Sequence, residues 1–79
     1  MSDADIYAKL TPVFHSVFDD EDMVVTAQLT ADHVDGWNSL THLRLMLSVQ
    51  RAFNVRFATA EIVGLKNVED LVRLIREKA

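Results

Sequence analysis

Residues 36–43 read Gly-Trp-Asn-Ser-Leu-Thr-His-Leu, and the fold of this chain is decided where that stretch passes from loop into helix. Apolar residues recur at helical spacing from Ser39 onward, which predicts a helix that begins there. Asn38 or Ser39 can cap it, because a short polar side chain accepts hydrogen bonds from the first backbone N–H groups. The Ser39 hydroxyl is therefore expected to be exposed at a helix start, where backbone N–H groups can also hold a phosphate.

The helix that starts at Ser39 is predicted to extend over about residues 39–53. Its apolar residues are three and four positions apart, as they are on the buried face of a helix that packs against a core. The expected buried stripe consists of Leu40, Leu43, Leu47 and Phe53, with Met46 at its margin.

A first helix is predicted upstream, over about residues 3–18. Ser2 and Asp5 have the spacing of a capping box, in which each side chain accepts a hydrogen bond from the other residue's backbone N–H group. Pro12 opposes this helix, because a proline in a helix interior costs about 3 kcal/mol. The sequence leaves two outcomes open, which are a helix kinked at Pro12 and a helix that begins later.

A long loop is expected between these two helices. Residues 19–22 are four consecutive acids, which cannot form a buried element, and no helical pattern resumes until about residue 38. Loops of this length are uncommon in compact domains unless they have a function. The loop is therefore predicted to have a functional role.

Two further helices are predicted towards the C-terminus. Thr59 can cap a short helical turn that ends at Gly64. A last helix is expected over about residues 67–78, and its apolar face consists of Val68, Leu71, Val72 and Ile75. The predicted fold is all-α, a small four-helix bundle of three longer helices and one short helix before the last. Residues 1–79 are expected to form a single domain.

Composition excludes several classes of protein. The chain has no cysteine, so it can form neither a disulfide nor a cysteine-ligated metal site. Its three histidines lack the spacing of zinc ligands. The sequence contains no run of 18 apolar residues, so no membrane span is expected. The acidic start at residues 2–5 does not resemble a secretory signal, and a cytoplasmic monomer is expected.

The charge distribution is uneven along the chain. Residues 1–35 contain eight acids and one base, which gives −7, whereas residues 36–79 contain four acids and seven bases, which gives +3; the sum is the net charge of −4. An acidic molecule is a poor ligand for nucleic acid. Protein partners that recognise charge are the better expectation.

The whole chain resembles the acyl and peptidyl carrier proteins. The sequence that carries the resemblance runs from Gly36 to Leu40 and continues to Ala-Phe-Asn-Val at residues 52–55 and Val-Glu-Asp-Leu at residues 68–71. The resemblance implies that Ser39 carries a 4′-phosphopantetheine arm, flanked by Trp37, Asn38, Leu40 and His42. It also implies that the chain catalyses nothing itself. It would hold acyl groups as thioesters and present them to acyl-loading and acyl-transferring enzymes, after modification by a phosphopantetheinyl transferase.

Two departures from the family pattern have consequences. Asn38 stands where the family usually has an aspartate, whose carboxylate would help to place a magnesium ion during modification; asparagine is a weaker ligand. The family's serine-led helix is usually acidic, but here Arg44 and Arg51 lie on its polar side and no acid occurs from Asn38 to Arg56. We therefore expect a specialised carrier, of a lipid or secondary-metabolite pathway, that docks its partners through Arg44 and Arg51.

Several alternatives remain open at this point. Ser39 can be an ordinary helix cap in a non-carrier adaptor, and the cargo can be aminoacyl, although acyl cargo is favoured. His42 lies one turn beyond Ser39, where it either contacts the phosphate or is simply a solvated helix residue. A cavity for an acyl chain, or an ordinary core, can be lined by Leu43, Met46, Leu47, Ile62 and Leu71.

Overall fold

The computed structural model describes residues 2–79, and within that range it contains helices and no strands. Helix α1 spans Asp3–Phe18, α2 spans Ser39–Phe53, α3 spans Thr59–Val63 and α4 spans Val68–Lys78; a single 3-10 turn lies at Ala31–His33. These bounds confirm the predicted all-α fold of three longer helices and one short one. None of the helices in the described range is long and apolar enough to cross a membrane.

Helix α1 begins at a complete capping box. The Ser2 hydroxyl accepts a hydrogen bond from the Asp5 N–H at 3.2 Å, and the Asp5 carboxylate accepts one from the Ser2 N–H at 3.4 Å. Pro12 lies inside the helix, which nevertheless starts at Asp3, so the alternative of a late start is wrong. Pro12 and Ala8, whose carbonyl loses its helical partner, are both on the exposed side, where water can replace the missing hydrogen bond.

Helix α2 has the predicted bounds but buries the opposite face. Leu40, Leu43 and Leu47 are 69%, 54% and 58% exposed, so the predicted stripe is wrong except for Phe53. Val49 follows Leu40 by nine positions, or about two and a half helical turns, so the two side chains lie on opposite sides of the helix. The side chains of α2 that are buried are Leu45, Met46, Val49 and Phe53. Met46, predicted at the margin, is therefore in the core.

The core lies where α1 and α4 pack with the buried face of α2. Helix α1 contributes Ile6, Leu10 and Phe14, which are completely buried. Helix α4 buries all four of its predicted apolar residues, together with Leu74. The set that was expected to line a cavity is divided, because Met46 and Leu71 are core residues whereas Leu43 and Leu47 face solvent.

The start of α4 is held by the long loop as well as by its own cap. The Asn67 side chain accepts a hydrogen bond from the Asp70 N–H at 2.9 Å. The N–H groups of Val68 and Glu69, which no helical carbonyl can reach, donate to loop carbonyls at 3.0 Å each. Those carbonyls belong to Leu29 and Ala27. The loop is thus fixed to the bundle on its way to Ser39.

The two faces of α2 predict opposite responses to the same substitution. Leu45→Ala, at a completely buried position, should lower the free energy of unfolding by about 2–5 kcal/mol, because it leaves a cavity. Leu43→Ala should change it by less than about 0.5 kcal/mol, because its side chain is mainly in solvent. Urea denaturation of the two variants measures the difference. Equal losses would mean that the buried face of α2 is wrongly assigned.

Candidate functional site

Ser39 is the first residue of α2, and its side chain is exposed. The cap of this helix is Asn38, whose side-chain oxygen accepts hydrogen bonds from the N–H groups of Leu40 at 3.0 Å and Thr41 at 3.1 Å. The sequence predicted that N–H groups at this helix start could hold a phosphate. Two of them already donate to the Asn38 side chain. The Ser39 hydroxyl stands at a fixed helix start, open to an enzyme.

Thr41 completes the cap from the other direction. Its hydroxyl oxygen accepts a hydrogen bond from the Asn38 N–H at 2.8 Å and donates one to the Gly36 carbonyl at 2.6 Å. Gly36 has a φ of +86°, in the left-handed region that side chains with a Cβ rarely adopt. The turn before Ser39 therefore depends on this glycine. Sequence reasoning missed Thr41, although its place three residues after Asn38 has capping-box spacing.

His42 joins three parts of the molecule through its ring. The indole Nε1–H of Trp37 donates to His42 Nδ1 at 3.1 Å, and His42 Nε2 is 3.0 Å from the carbonyl oxygen of Ile62 in α3. A carbonyl only accepts, so in this pair of contacts Nε2–H donates to Ile62 and Nδ1 accepts from Trp37. Both ring nitrogens are bonded within the protein and His42 is half-buried, so the solvated alternative is wrong, whereas contact of His42 with a phosphate stays a prediction.

Trp37 connects this arrangement to α1. Its ring packs edge-on against Phe14, with centroids 5.7 Å apart, and lies 5.6 Å from the Phe18 ring. Such aromatic pairs prefer edge-on or tilted arrangements. The indole is thus wedged against the core on one side and bonded to His42 on the other. It fixes the end of the loop two residues before Ser39, and the role of Trp37 beside an arm stays a prediction.

A small cleft opens beside Ser39, between α2 and α3. It has a volume of about 330 Å³ and a mainly apolar lining, and it is bordered by Ser39, His42, Leu43, Ile62 and Val63. Of the predicted cavity set, Leu43 and Ile62 lie here and the others do not. The remaining flanking residue of the prediction, Leu40, points into solvent rather than inward.

Helix α3, which forms the far wall of the cleft, is anchored by Glu61. The Glu61 carboxylate accepts a hydrogen bond from the Ala58 N–H at 2.8 Å and pairs with the Lys78 ammonium at 3.1 Å. These two contacts, the first more than the second, lower the pKa of Glu61. Ala58 is therefore the cap position, and Thr59, which was predicted as the cap, is the first helical residue. The Thr59 hydroxyl is not needed as a helix cap, because the Glu61 carboxylate accepts the hydrogen bond from the Ala58 N–H.

Charge near the site comes from arginines on α2. Arg44 and Arg51 are exposed, and neither belongs to an ion pair within residues 2–79. By contrast, the basic residues Arg73, Arg76 and Lys78 of α4 each have an acidic partner. The cationic surface of α2 is thus not neutralised by the molecule itself.

The class of protein that this fold and site define is established by a structural comparison. No family model and no curated protein matches the chain. The solution NMR structure of the holo acyl carrier protein from Geobacter metallireducens is 40% identical, matches 91% of this chain and 83% of its own, and superposes with a TM-score of 0.84. This chain belongs to the acyl carrier protein family, and a carrier role follows in general terms.

The hydrogen-bonded position of His42 predicts a cost of removing it. His42→Ala leaves the Trp37 N–H and the Ile62 carbonyl without their partner, and should lower the free energy of unfolding by about 1–3 kcal/mol. The control is Gln28→Ala, at an exposed position whose side chain makes no hydrogen bond within residues 2–79, where a change within about 0.5 kcal/mol is expected. Thermal and urea unfolding of both variants measure this. Similar small losses would show that the link from Trp37 to Ile62 does not support the site.

Proposed function

We propose that this protein is a carrier that holds acyl groups as thioesters on a 4′-phosphopantetheine arm attached to Ser39. The observation that carries the proposal is the exposed Ser39 at the rigid start of α2, in a fold shared with an acyl carrier protein solved in its holo form. The protein has no catalytic part in this scheme. Its role is to present cargo to enzymes that load and transfer it.

Attachment requires the Ser39 hydroxyl to act as a nucleophile within a transferase. Its Oγ forms a bond to the pyrophosphate phosphorus that bears the pantetheine, the bond from that phosphorus to the bridging oxygen breaks, and adenosine 3′,5′-bisphosphate leaves, while the hydroxyl proton passes to a base of the transferase. Because the Asn38 and Thr41 contacts fix the helix start, the backbone of Ser39 is held in place and only its side-chain torsion has to be set for this attack. The arm, once attached, ends in a thiol that binds the cargo.

The proposed specialisation concerns the residue before the serine. The Asn38 oxygen accepts hydrogen bonds from the backbone N–H groups of Leu40 and Thr41, so this side chain acts as a helix cap. An aspartate there would keep the cap with one oxygen and offer the other, with its charge, to a magnesium ion. We infer that this carrier is modified by a transferase that does not rely on that carboxylate, and that it serves a pathway other than general fatty-acid synthesis.

A non-carrier adaptor is the second candidate function, because Ser39 at the first position of a well-capped helix needs no modification to be stable. An adaptor would keep its partner when Ser39 is replaced, whereas a carrier would lose all activity. Aminoacyl cargo is the third possibility, and loading assays with acyl and aminoacyl donors distinguish it from acyl cargo. The acyl assignment is preferred because the resemblance is to an acyl carrier protein.

The attachment site is tested by intact mass. Incubation with coenzyme A, magnesium and a broad-specificity phosphopantetheinyl transferase should add the mass of one phosphopantetheine group to the native chain and none to Ser39→Ala. Ser16→Ala, which removes an exposed serine of α1, should be modified like the native chain. A mass gain that persists in Ser39→Ala would place the arm elsewhere.

The effect of the residue before the serine is tested in the same assay. Asn38→Asp should be modified faster than the native chain, because the added carboxylate can bind the magnesium ion. The variant should also be as stable as the native chain or more so, since an aspartate caps as well as asparagine and its charge suits a helix N-terminus. An unchanged initial rate would show that position 38 does not limit modification. No mass gain in either protein would favour the adaptor.

A further inference from the structure

The outward face of α2 is unusually apolar for a solvent-exposed helix surface. Leu40, Leu43 and Leu47 are each more than half exposed, and Val63 lies exposed across the cleft from Leu43. Single exposed leucines are common on protein surfaces, but several that share one face mark an interaction site. We call this set, Leu40, Leu43, Leu47 and Val63, the leucine face.

The leucine face has a positively charged border. Arg44 follows Leu40 by four positions and Arg51 follows Leu47 by four, so each arginine lies one turn beyond a leucine of the same face. Both guanidinium groups are without an acidic partner within the described range of 2–79. No acid occurs anywhere from Asn38 to Arg56. This border can therefore be neutralised only from outside the molecule.

The position of the leucine face determines which molecules must touch it. Leu40 directly follows Ser39, and Leu43 borders the same cleft as Ser39. If Ser39 carries the arm, as proposed above, an enzyme that receives the arm at close range also covers the first turns of α2. Contact with the leucine face then accompanies each delivery of cargo.

We propose that the leucine face docks onto partner enzymes whose own docking patch is apolar at its centre and bordered by carboxylates. This proposal rests on the carrier function and adds the partner's surface chemistry. Carboxylates opposite Arg44 and Arg51 supply the missing counter-charges, and the leucines bury against the apolar centre. This distribution of charge is the reverse of the one in which an acidic carrier helix docks onto a basic enzyme surface.

Two other occupants fit the observations less well. A symmetric dimer through this face would bring the arginines of one copy close to those of the other, with no acid between them. An anionic membrane attracts helices with basic and apolar faces, but two arginines contribute only about 1 kcal/mol each at such a surface, which is little to hold the whole molecule there. Charge complementarity therefore favours an acidic protein surface.

The test uses two synthetic helical peptides with the same leucine stripe, one bordered by glutamates and the other by lysines. Each is titrated into the isotopically labelled native protein, and NMR chemical-shift changes give the binding site and the dissociation constant. We expect the glutamate peptide to bind at residues 40–51, about tenfold more tightly than the lysine peptide, with the preference reduced by added salt.

Variants separate the two components of the surface. Arg44→Glu should weaken the glutamate peptide and strengthen the lysine peptide, whereas Lys66→Glu, an equal change of charge at another exposed position, should affect both only slightly. Leu47→Ser should weaken both peptides. The titrations use the chain without the arm, so a failure of docking and a failure of attachment are observed independently.

Three results would overturn the proposal. The first is equal binding of the two peptides, and the second is a set of shifts that lies outside residues 40–51. The third is a different occupant: self-association in sedimentation experiments, or binding to phosphatidylglycerol vesicles, that is abolished by both Arg44→Glu and Leu47→Ser.

Discussion

The choice of which face of α2 to bury governs the rest of this structure. The helix is apolar on two opposite sides, and only one can pack against α1 and α4. Burying Leu45, Met46, Val49 and Phe53 supplies the core with the apolar side chains that a domain of this size needs. It also forces Leu40, Leu43 and Leu47 into solvent. The orientation of α2 therefore determines both the core and the apolar surface beside Ser39.

The start of α2 is fixed by contacts from several directions at once. Trp37 contacts the aromatic residues of α1 on one side and His42 on the other, and His42 in turn reaches the Ile62 carbonyl of α3. Asn38 and Thr41 close the cap between them. The serine is consequently mobile only in its own side chain. A carrier benefits from this arrangement, because the flexible part of its cargo arm then begins at a defined point.

Local chemistry explains which features could be predicted from the sequence. Helices α1 and α2 begin and end where predicted, because capping depends on residues close together in the chain, such as Ser2 with Asp5. The apolar face of α4 was predictable because its other side is charged. The buried face of α2 was not, because both of its sides satisfy helical periodicity and only packing against α1 and α4 decides between them.

The contacts of His42 could not be predicted from the sequence for a related reason. Its partner in α3 is a backbone carbonyl twenty positions away, and every residue type offers one. The same limit applies to the start of α3, where Glu61 rather than Thr59 satisfies the free N–H group of Ala58. The sequence shows which side chains can form hydrogen bonds, but only the fold determines which of these groups lie close enough to do so.

The hydrogen bonds from Val68 and Glu69 to the long loop join two distant parts of the chain in one cooperative unit. The first amides of α4 are satisfied only while the carbonyls of Leu29 and Ala27 are in place. Opening the loop therefore also frays the helix, and its cost includes exposing Val68, which is completely buried. The loop that leads to Ser39 is therefore as resistant to opening as the first turn of α4 to which it is bonded.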